Sequence, residues 1–380
     1  MLVVGLEQRL NSWPHYPSER PGEGVLTLSP LSQSNLALFL VLNSPLRPGP
    51  GDSTLAVGMK NQLDFEKPIL DLQNELEKIK NHPEAHSLGA EQIRQMEENL
   101  EEARRRIYSN LTAWQRVKIA RHPERPFTLD YLQSTFTDFT ELHGDRLYSE
   151  DHAMVGGFAR LGGRKVMVIG TQKGRDTKEK ILRNFGCAHP EGYRKALRLM
   201  RMADKFGLPI ITLIDTAGAF PGIGAEERHV AEAIAVNLRE MMLLEVPCVA
   251  VVIGEGGSGG ALGIGVTDRV LILENAYYSV ISPEGCAAIL WKERSAAAKA
   301  AEALKITARD LLGLDLVDEV LPEPLGGAHN DPATMAGTLK KHLLAQLEQL
   351  DKLSPGERMK QRYDRFRNHG RVMENQLAAA

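Results

Sequence analysis

Apolar residues recur at helical spacing from Phe65 to about Ala120, in two blocks. Ile69, Leu72, Leu76 and Ile79 form one stripe, and Ile93, Met96, Leu100, Ala103 and Ile107 form a second whose other faces are rich in Glu and Arg. The breaker His82-Pro83-Glu84-Ala85-His86-Ser87-Leu88-Gly89 lies between them. The pattern predicts a helical hairpin. Such helices draw most of their stability from packing an apolar face, so the hairpin is expected to lie against the main body or a partner subunit.

From about Asp151 to Val320 the period changes. Residues 165–170, 209–215 and 246–253 are short apolar runs that read as buried strands. Residues 192–206, ended by Gly207 and Pro209, and residues 225–244 read as helices. Strands that are apolar on both faces, each followed by a helix, imply parallel pairing with right-handed crossovers, hence an α/β fold. Residues 339–350 form a further amphipathic stretch. The end is Arg-rich (Arg358, Arg362, Arg365, Arg367, Arg371) without a stripe that demands a core, which predicts a terminal helix and a frayed tail. The expected organisation is an extension over 1–58, a helical segment over 59–125, the α/β domain over 126–330 and a C-terminal helix and tail over 331–380. The extension is Pro-, Ser- and Gly-rich and lacks either periodicity, as expected of a disordered segment or a start placed too far upstream of Met59.

Composition narrows the partners. The net charge of -3, from 46 basic and 49 acidic residues, provides no overall basic field to hold nucleic acid. The Arg104-Arg105-Arg106 cluster reads as a solvated helix face beside Glu101 and Glu102. The three cysteines, Cys187, Cys248 and Cys286, are far apart and without CxxC spacing, so they suggest buried thiols in a reducing cytoplasm and neither a disulfide framework nor a metal site. The best apolar run, residues 36–42, is too short to span a bilayer and lacks the flanks of a signal peptide.

Two glycine-rich stretches carry the candidate chemistry. Asp215-Thr216-Ala217-Gly218-Ala219-Phe220-Pro221-Gly222-Ile223-Gly224 follows one strand and precedes a helix. Gly254-Glu255-Gly256-Gly257-Ser258-Gly259-Gly260-Ala261-Leu262-Gly263 follows another, with a helix expected to open at Ala261. Small residues before a helix let main-chain N–H groups face an anion with no Cβ in the way. Gly254 to Gly259 satisfies GxGxxG by letters, yet it follows a late strand, and no P-loop lysine is present. The competing reading is an oxyanion hole, in which N–H groups stabilise charge developing on a carbonyl oxygen.

These two stretches, together with Phe185-Gly186-Cys187-Ala188-His189-Pro190-Glu191-Gly192-Tyr193-Arg194-Lys195-Ala196 and Tyr278-Ser279-Val280-Ile281-Ser282-Pro283-Glu284-Gly285-Cys286-Ala287, resemble the acetyl-CoA carboxylase carboxyltransferase α-subunit family over Met59 to about Asn368. The resemblance implies a crotonase-like fold, a spiral of ββα units. It implies transfer of a carboxyl group from carboxybiotin to acetyl-CoA, giving malonyl-CoA; a subunit acting on another acyl-CoA, such as propionyl-CoA, is the alternative. It implies biotin delivered on a separate biotin carboxyl carrier protein and loaded by biotin carboxylase, a β subunit paired as α2β2, and zinc in that β subunit only. Under this resemblance the donors on the carboxybiotin side are Gly256, Gly257, Gly259, Gly260 and Ala261, with Gly218 and Ala219 supplying a second donor. Phe220, Pro221, Gly222, Ser282, Pro283 and Glu284 are expected to border the substrate, with Ser282-Pro283 also reading as a helix N-cap. Lys173 and Arg175 are candidate cations for CoA phosphates or the carrier protein. Glu255 reads as turn-stabilising or intersubunit rather than as a base. His229 stands where the family's Glu-Glu-Arg text continues with glycine.

Overall fold

The computed structural model describes residues 62–81 and 90–370, all within one compact unit, Asp52–Ala380. The extension over 1–58, the breaker over 82–89 and the tail over 371–380 lie outside the described residues.

Helices α1 (Lys67–Asn81) and α2 (Ala90–Ser109) bury Ile69, Leu76 and Leu100 against each other, with Leu72, Ile93, Met96 and Ile107 around them. These are the two stripes the periodicity predicts. Helix α3 (Ala113–Ala120) opens on a capping box, with Thr112 accepting from the Gln115 N–H and Gln115 accepting from the Thr112 N–H. It buries Ala113, Val117 and Ala120 against Tyr277, Ala301 and Ile306, which docks the helical segment on the sheet domain. Helix α4 (Thr128–Thr135) then leads into the sheet.

The strands are β1 (Thr137–Glu141), β2 (Met154–Leu161), β3 (Arg164–Thr171), β4 (Ile210–Thr216), β5 (Cys248–Gly257), β6 (Arg269–Leu273), β7 (Tyr277–Ser279) and β8 (Glu319–Leu321). They form one sheet in the order β1-β2-β3-β4-β5-β6-β8, with β7 paired to β5. β1, β2 and β3 pair antiparallel, and β3 through β8 pair parallel. Strand β5 is wholly buried and shared: Val249 to Val252 pair with β6, whereas Glu255 to Gly257 pair with β7. The connecting helices are α5 (Thr177–Leu182), α6 (Pro190–Lys205), α7 (Ile223–Glu227), α8 (Val230–Met241), α9 (Ser258–Leu262), α10 (Pro283–Leu290), α11 (Ala297–Leu304) and α12 (Ala308–Gly313), followed by α13 (Pro332–Asp351) and α14 (Pro355–Arg367).

Three expectations are corrected. The helix over 225–244 is interrupted between α7 and α8 because His229 sits at φ 62°, in the left-handed region that favours glycine. The second glycine-rich stretch is not a loop: its first part continues β5, and the helix opens at Ser258, three residues earlier than expected. The expected terminal helix is present as α14, but it buries two of its arginines. Arg362 is fully buried, its Nε donates to Asp268 at 2.8 Å, and its Nη1 donates to the carbonyls of Met241 and Leu244. Arg358 donates to the carbonyls of Leu350 and Glu245. An arginine needs no apolar stripe to be buried when its fork of donors finds unpaired carbonyls.

Candidate active site

The turn after β4 and the junction of β5 with α9 meet backbone to backbone. A Cβ on Gly257 would lie 2.1 Å from the Ala217 carbonyl oxygen. One on Gly260 would lie 2.4 Å from the Gly218 carbonyl carbon and 2.6 Å from the Ala219 nitrogen. Only glycine allows this approach. A Cβ at Gly218 would meet nothing, and one at Gly259 would meet only the tip of Ile234 at 3.5 Å, so space remains beside the contact. Ser258, at the strand-to-helix junction, takes φ 50°, which bends the chain sharply from β5 into α9.

This geometry sorts the expected donors. Gly256 and Gly257 lie in the sheet, Gly256 between Thr216 and Tyr278 and Gly257 opposite Ser279. The Gly218 N–H donates to the Thr216 hydroxyl at 3.1 Å. Ala261 lies deeper in α9 and is fully buried. Gly259 and Gly260 occupy the first turn, where N–H groups have no intrahelical partner, and the Ala219 N–H lies beside Gly260.

Phe220 and Pro221 continue the first turn. The Phe220 N–H donates to the Ala188 carbonyl, and its ring lies 4.1 Å from that of His189. Gly222 caps α7 and lies close to the Phe220 ring. Ser282 caps α10, its hydroxyl accepting from the Gly285 N–H, with Pro283 at the first helical position. Because β7 pairs with the end of β5 and runs on into α10, these residues stand beside the glycines.

Behind the glycines runs a buried chain of charges that sequence spacing does not disclose. Lys173 donates to Asp215 at 2.7 Å and to Glu255 at 2.6 Å. Glu255 also accepts from Arg121 at 2.6 Å and from the Tyr277 hydroxyl, and Arg121 reaches on to Glu284. Burial pushes the Glu255 carboxyl up, but Lys173 and Arg121 outweigh it and hold the group well below the carboxylate range. A carboxylate so stabilised is a poor general base. Burial pushes the Asp215 carboxyl up against the pull of Lys173. Arg175 donates to Asp130 and to the Pro123 carbonyl, with its guanidinium over the Phe127 ring. Lys173 and Arg175, expected as ligand-facing cations, are thus committed to protein partners. Arg121 and Tyr277 were missed from the sequence. Among the described residues no three His, Cys, Asp or Glu side chains group to hold a metal ion.

A sequence profile described as acetyl co-enzyme A carboxylase carboxyltransferase-like matches residues 62–370. The acetyl-coenzyme A carboxylase carboxyl transferase subunit alpha of Edwardsiella ictaluri is 58% identical over 314 residues, 82% of this chain and 98% of that protein. The chain belongs to the acetyl-CoA carboxylase carboxyltransferase α-subunit family. The subunits alpha of Geobacter metallireducens and Thermus thermophilus are each 56% identical over 313 residues, 82% of this chain and 98% and 99% of theirs. Among solved structures, a transcarboxylase 12S aligns with TM-score 0.49 at 19% identity, covering 60% of this chain and 43% of that one. A Pseudomonas malonate decarboxylase hetero-tetramer aligns with TM-score 0.47 at 16% identity, covering 56% and 84%. The carboxyltransferase α subunit is part of a biotin-dependent enzyme that moves a carboxyl group to acetyl-CoA, giving malonyl-CoA. Its fold is mixed α/β. Among the described residues no helix is long and apolar enough to cross a membrane.

Proposed function

We propose that this chain supplies the carboxybiotin side of a composite carboxyltransferase site, with the N–H groups of Gly259, Gly260 and Ala219 holding the ureido oxygen of biotin. The observation that carries this reading is the close backbone approach of Gly260 to the Gly218–Ala219 peptide, which brings the first turn of α9 against the turn after β4. Carboxybiotin supplies the carboxyl group and a ureido oxygen on which negative charge grows as that group leaves. Donors already aimed at such charge are worth about 10²–10³ in rate each, because they need no reorganisation at the moment of reaction. Gly256 and Gly257, held in the sheet, keep the donors in place. Phe220, Pro221, Gly222 and the Ser282-Pro283-Glu284 cap form the walls. Biotin arrives on a separate biotin carboxyl carrier protein after loading by biotin carboxylase, and zinc belongs to the partner.

A β subunit, in an α2β2 assembly, completes the site and contributes the hole for the acetyl-CoA thioester. Support comes from exposed Ile223, Val280, Ile289 and Leu290, carried by elements that flank the glycines and apolar as a subunit interface requires. The three free, buried cysteines suit a cytoplasmic setting.

The test is co-purification with the β partner and assay of malonyl-CoA-dependent carboxylation of free biotin, beside each subunit alone. Activity in the pair only is expected. An assembled but silent pair would refute the reading.

A further inference from the structure

We propose that Arg121, at the end of α3, is a positioning residue that sets the distance between the glycine strand and the wall formed by α10. The inference rests on the biotin-side reading of the glycines. Its guanidinium is shared between two carboxylates on different elements: Nε binds Glu255, the residue immediately before Gly256 and Gly257 on β5, and Nη1 binds Glu284 in the first turn of α10. Nη2 donates to the Tyr277 hydroxyl at 3.0 Å, and that hydroxyl donates in turn to Glu255. Tyr277 opens β7, the strand that pairs with the glycine end of β5. One planar cation therefore ties β5, β7 and α10 together.

The chemistry of the pieces argues against a purely stabilising role. Burying an ion pair returns little net stability over apolar packing of the same volume. A planar fork does fix the angles among its acceptors, which a lysine cannot. The placement adds an electrostatic reason. Glu255 puts a negative charge on the strand that leads into the donors of an anion site, and Arg121, with Lys173 on the other carboxylate oxygen, neutralises it. Removing Arg121 both loosens the wall and leaves Glu255 with Lys173, itself shared with Asp215, as its one remaining cation. Both effects fall on the biotin side.

The test uses the full-length chain paired with its β subunit, malonyl-CoA and free biotin, comparing wild type with Arg121→Gln, Arg121→Lys and Glu284→Gln. Losing alignment of about 1 Å costs on the order of 10²-fold in rate. Arg121→Gln is expected to lower kcat by about 10- to 100-fold and raise KM for biotin, leaving KM for malonyl-CoA within about twofold. Arg121→Lys restores the charge but not the fork, and recovers part of the loss. Glu284→Gln, at the outer and half-exposed end of the clamp, shows the same split in a smaller degree and keeps the test open should Arg121→Gln fail to assemble. A kcat within about twofold of wild type, or equal rises in both KM values, would overturn the proposal. Gly260→Ala in the same series separates the two claims: full activity there refutes the biotin-side reading and the positioning role with it, whereas an inactive Gly260→Ala beside an unaffected Arg121→Gln refutes the positioning role alone.

Discussion

Gly260→Ala adds one methyl group at the point where the two turns touch. The new Cβ would lie 2.4 Å from the Gly218 carbonyl carbon and 2.6 Å from the Ala219 nitrogen, with the Gly218 Cα 2.8 Å away. All three atoms are backbone, so no rotamer change relieves the contact. Reaching an ordinary contact near 3.4 Å requires the turns to part by about 1 Å. Two terms then oppose each other. Alanine gains about 1 kcal/mol over glycine in a helix interior, and overpacking against backbone costs about 1–3 kcal/mol. The net change in stability is therefore modest, about 0–2 kcal/mol of loss. Activity is far more exposed: moving aligned groups by about 1 Å costs on the order of 10²-fold, which matches the loss of one oxyanion donor. In the paired enzyme, malonyl-CoA-dependent carboxylation of biotin should fall about 100-fold with assembly intact by size-exclusion chromatography. Gly337→Ala is the internal control, because its Cβ would meet nothing within 4 Å and the residue lies on α13, outside the site. A Gly260→Ala enzyme that keeps more than about half of its activity would refute the reasoning.

Arg362→Ala leaves Asp268 buried without its cation and frees the carbonyls of Met241 and Leu244, so the pair should lose about 3–5 kcal/mol of stability in urea melts; a loss below about 1 kcal/mol would show that the clamp is idle. His229→Gly removes a side chain held at φ 62° and should stabilise the chain by up to about 1 kcal/mol in the same melts, without changing kcat. Burial, then His122 and Arg125, lower the His329 pKa from 6.5 to about 4, and its ring stacks on His122 at 3.9 Å. The unfolded chain therefore binds the extra proton first: this contribution to stability is complete above about pH 6.5 and is lost as pH falls toward 4, and His329→Gln should flatten that part of the stability profile.

Periodicity disclosed the hairpin stripes and the apolar strands because each depends on residues within a turn or two of one another. β2 was harder to see. Its Gly156 and Gly157 weaken the strand pattern, and the reason appears only in three dimensions: a Cβ at Gly157 would lie 2.0 Å from the Thr140 carbonyl on β1, and one at Gly156 would meet Leu199 at 2.7 Å. The glycines of the site were visible as a composition, but their division into sheet residues and first-turn donors was not, since that depends on where β5 stops. The clamp was invisible for a different reason. Arg121 and Glu255 are 134 residues apart, and neither carries a local signal that the other is its partner. The buried arginines of α14 misled for the same cause: a charged residue reads as surface until the carbonyls that receive it are known.

The anchoring of α14 also bears on the order in which the chain is made. Synthesis delivers Asp268 and the Met241 and Leu244 carbonyls long before Arg362, so the end of α8 and the turn before β6 wait with an unmatched acid and unpaired carbonyls until α14 arrives. A chain cut short before Arg362 therefore lacks the piece that closes it. Helix α14 thus closes the fold from a distance: the acid and the carbonyls that Arg362 satisfies find their donor only when that helix docks.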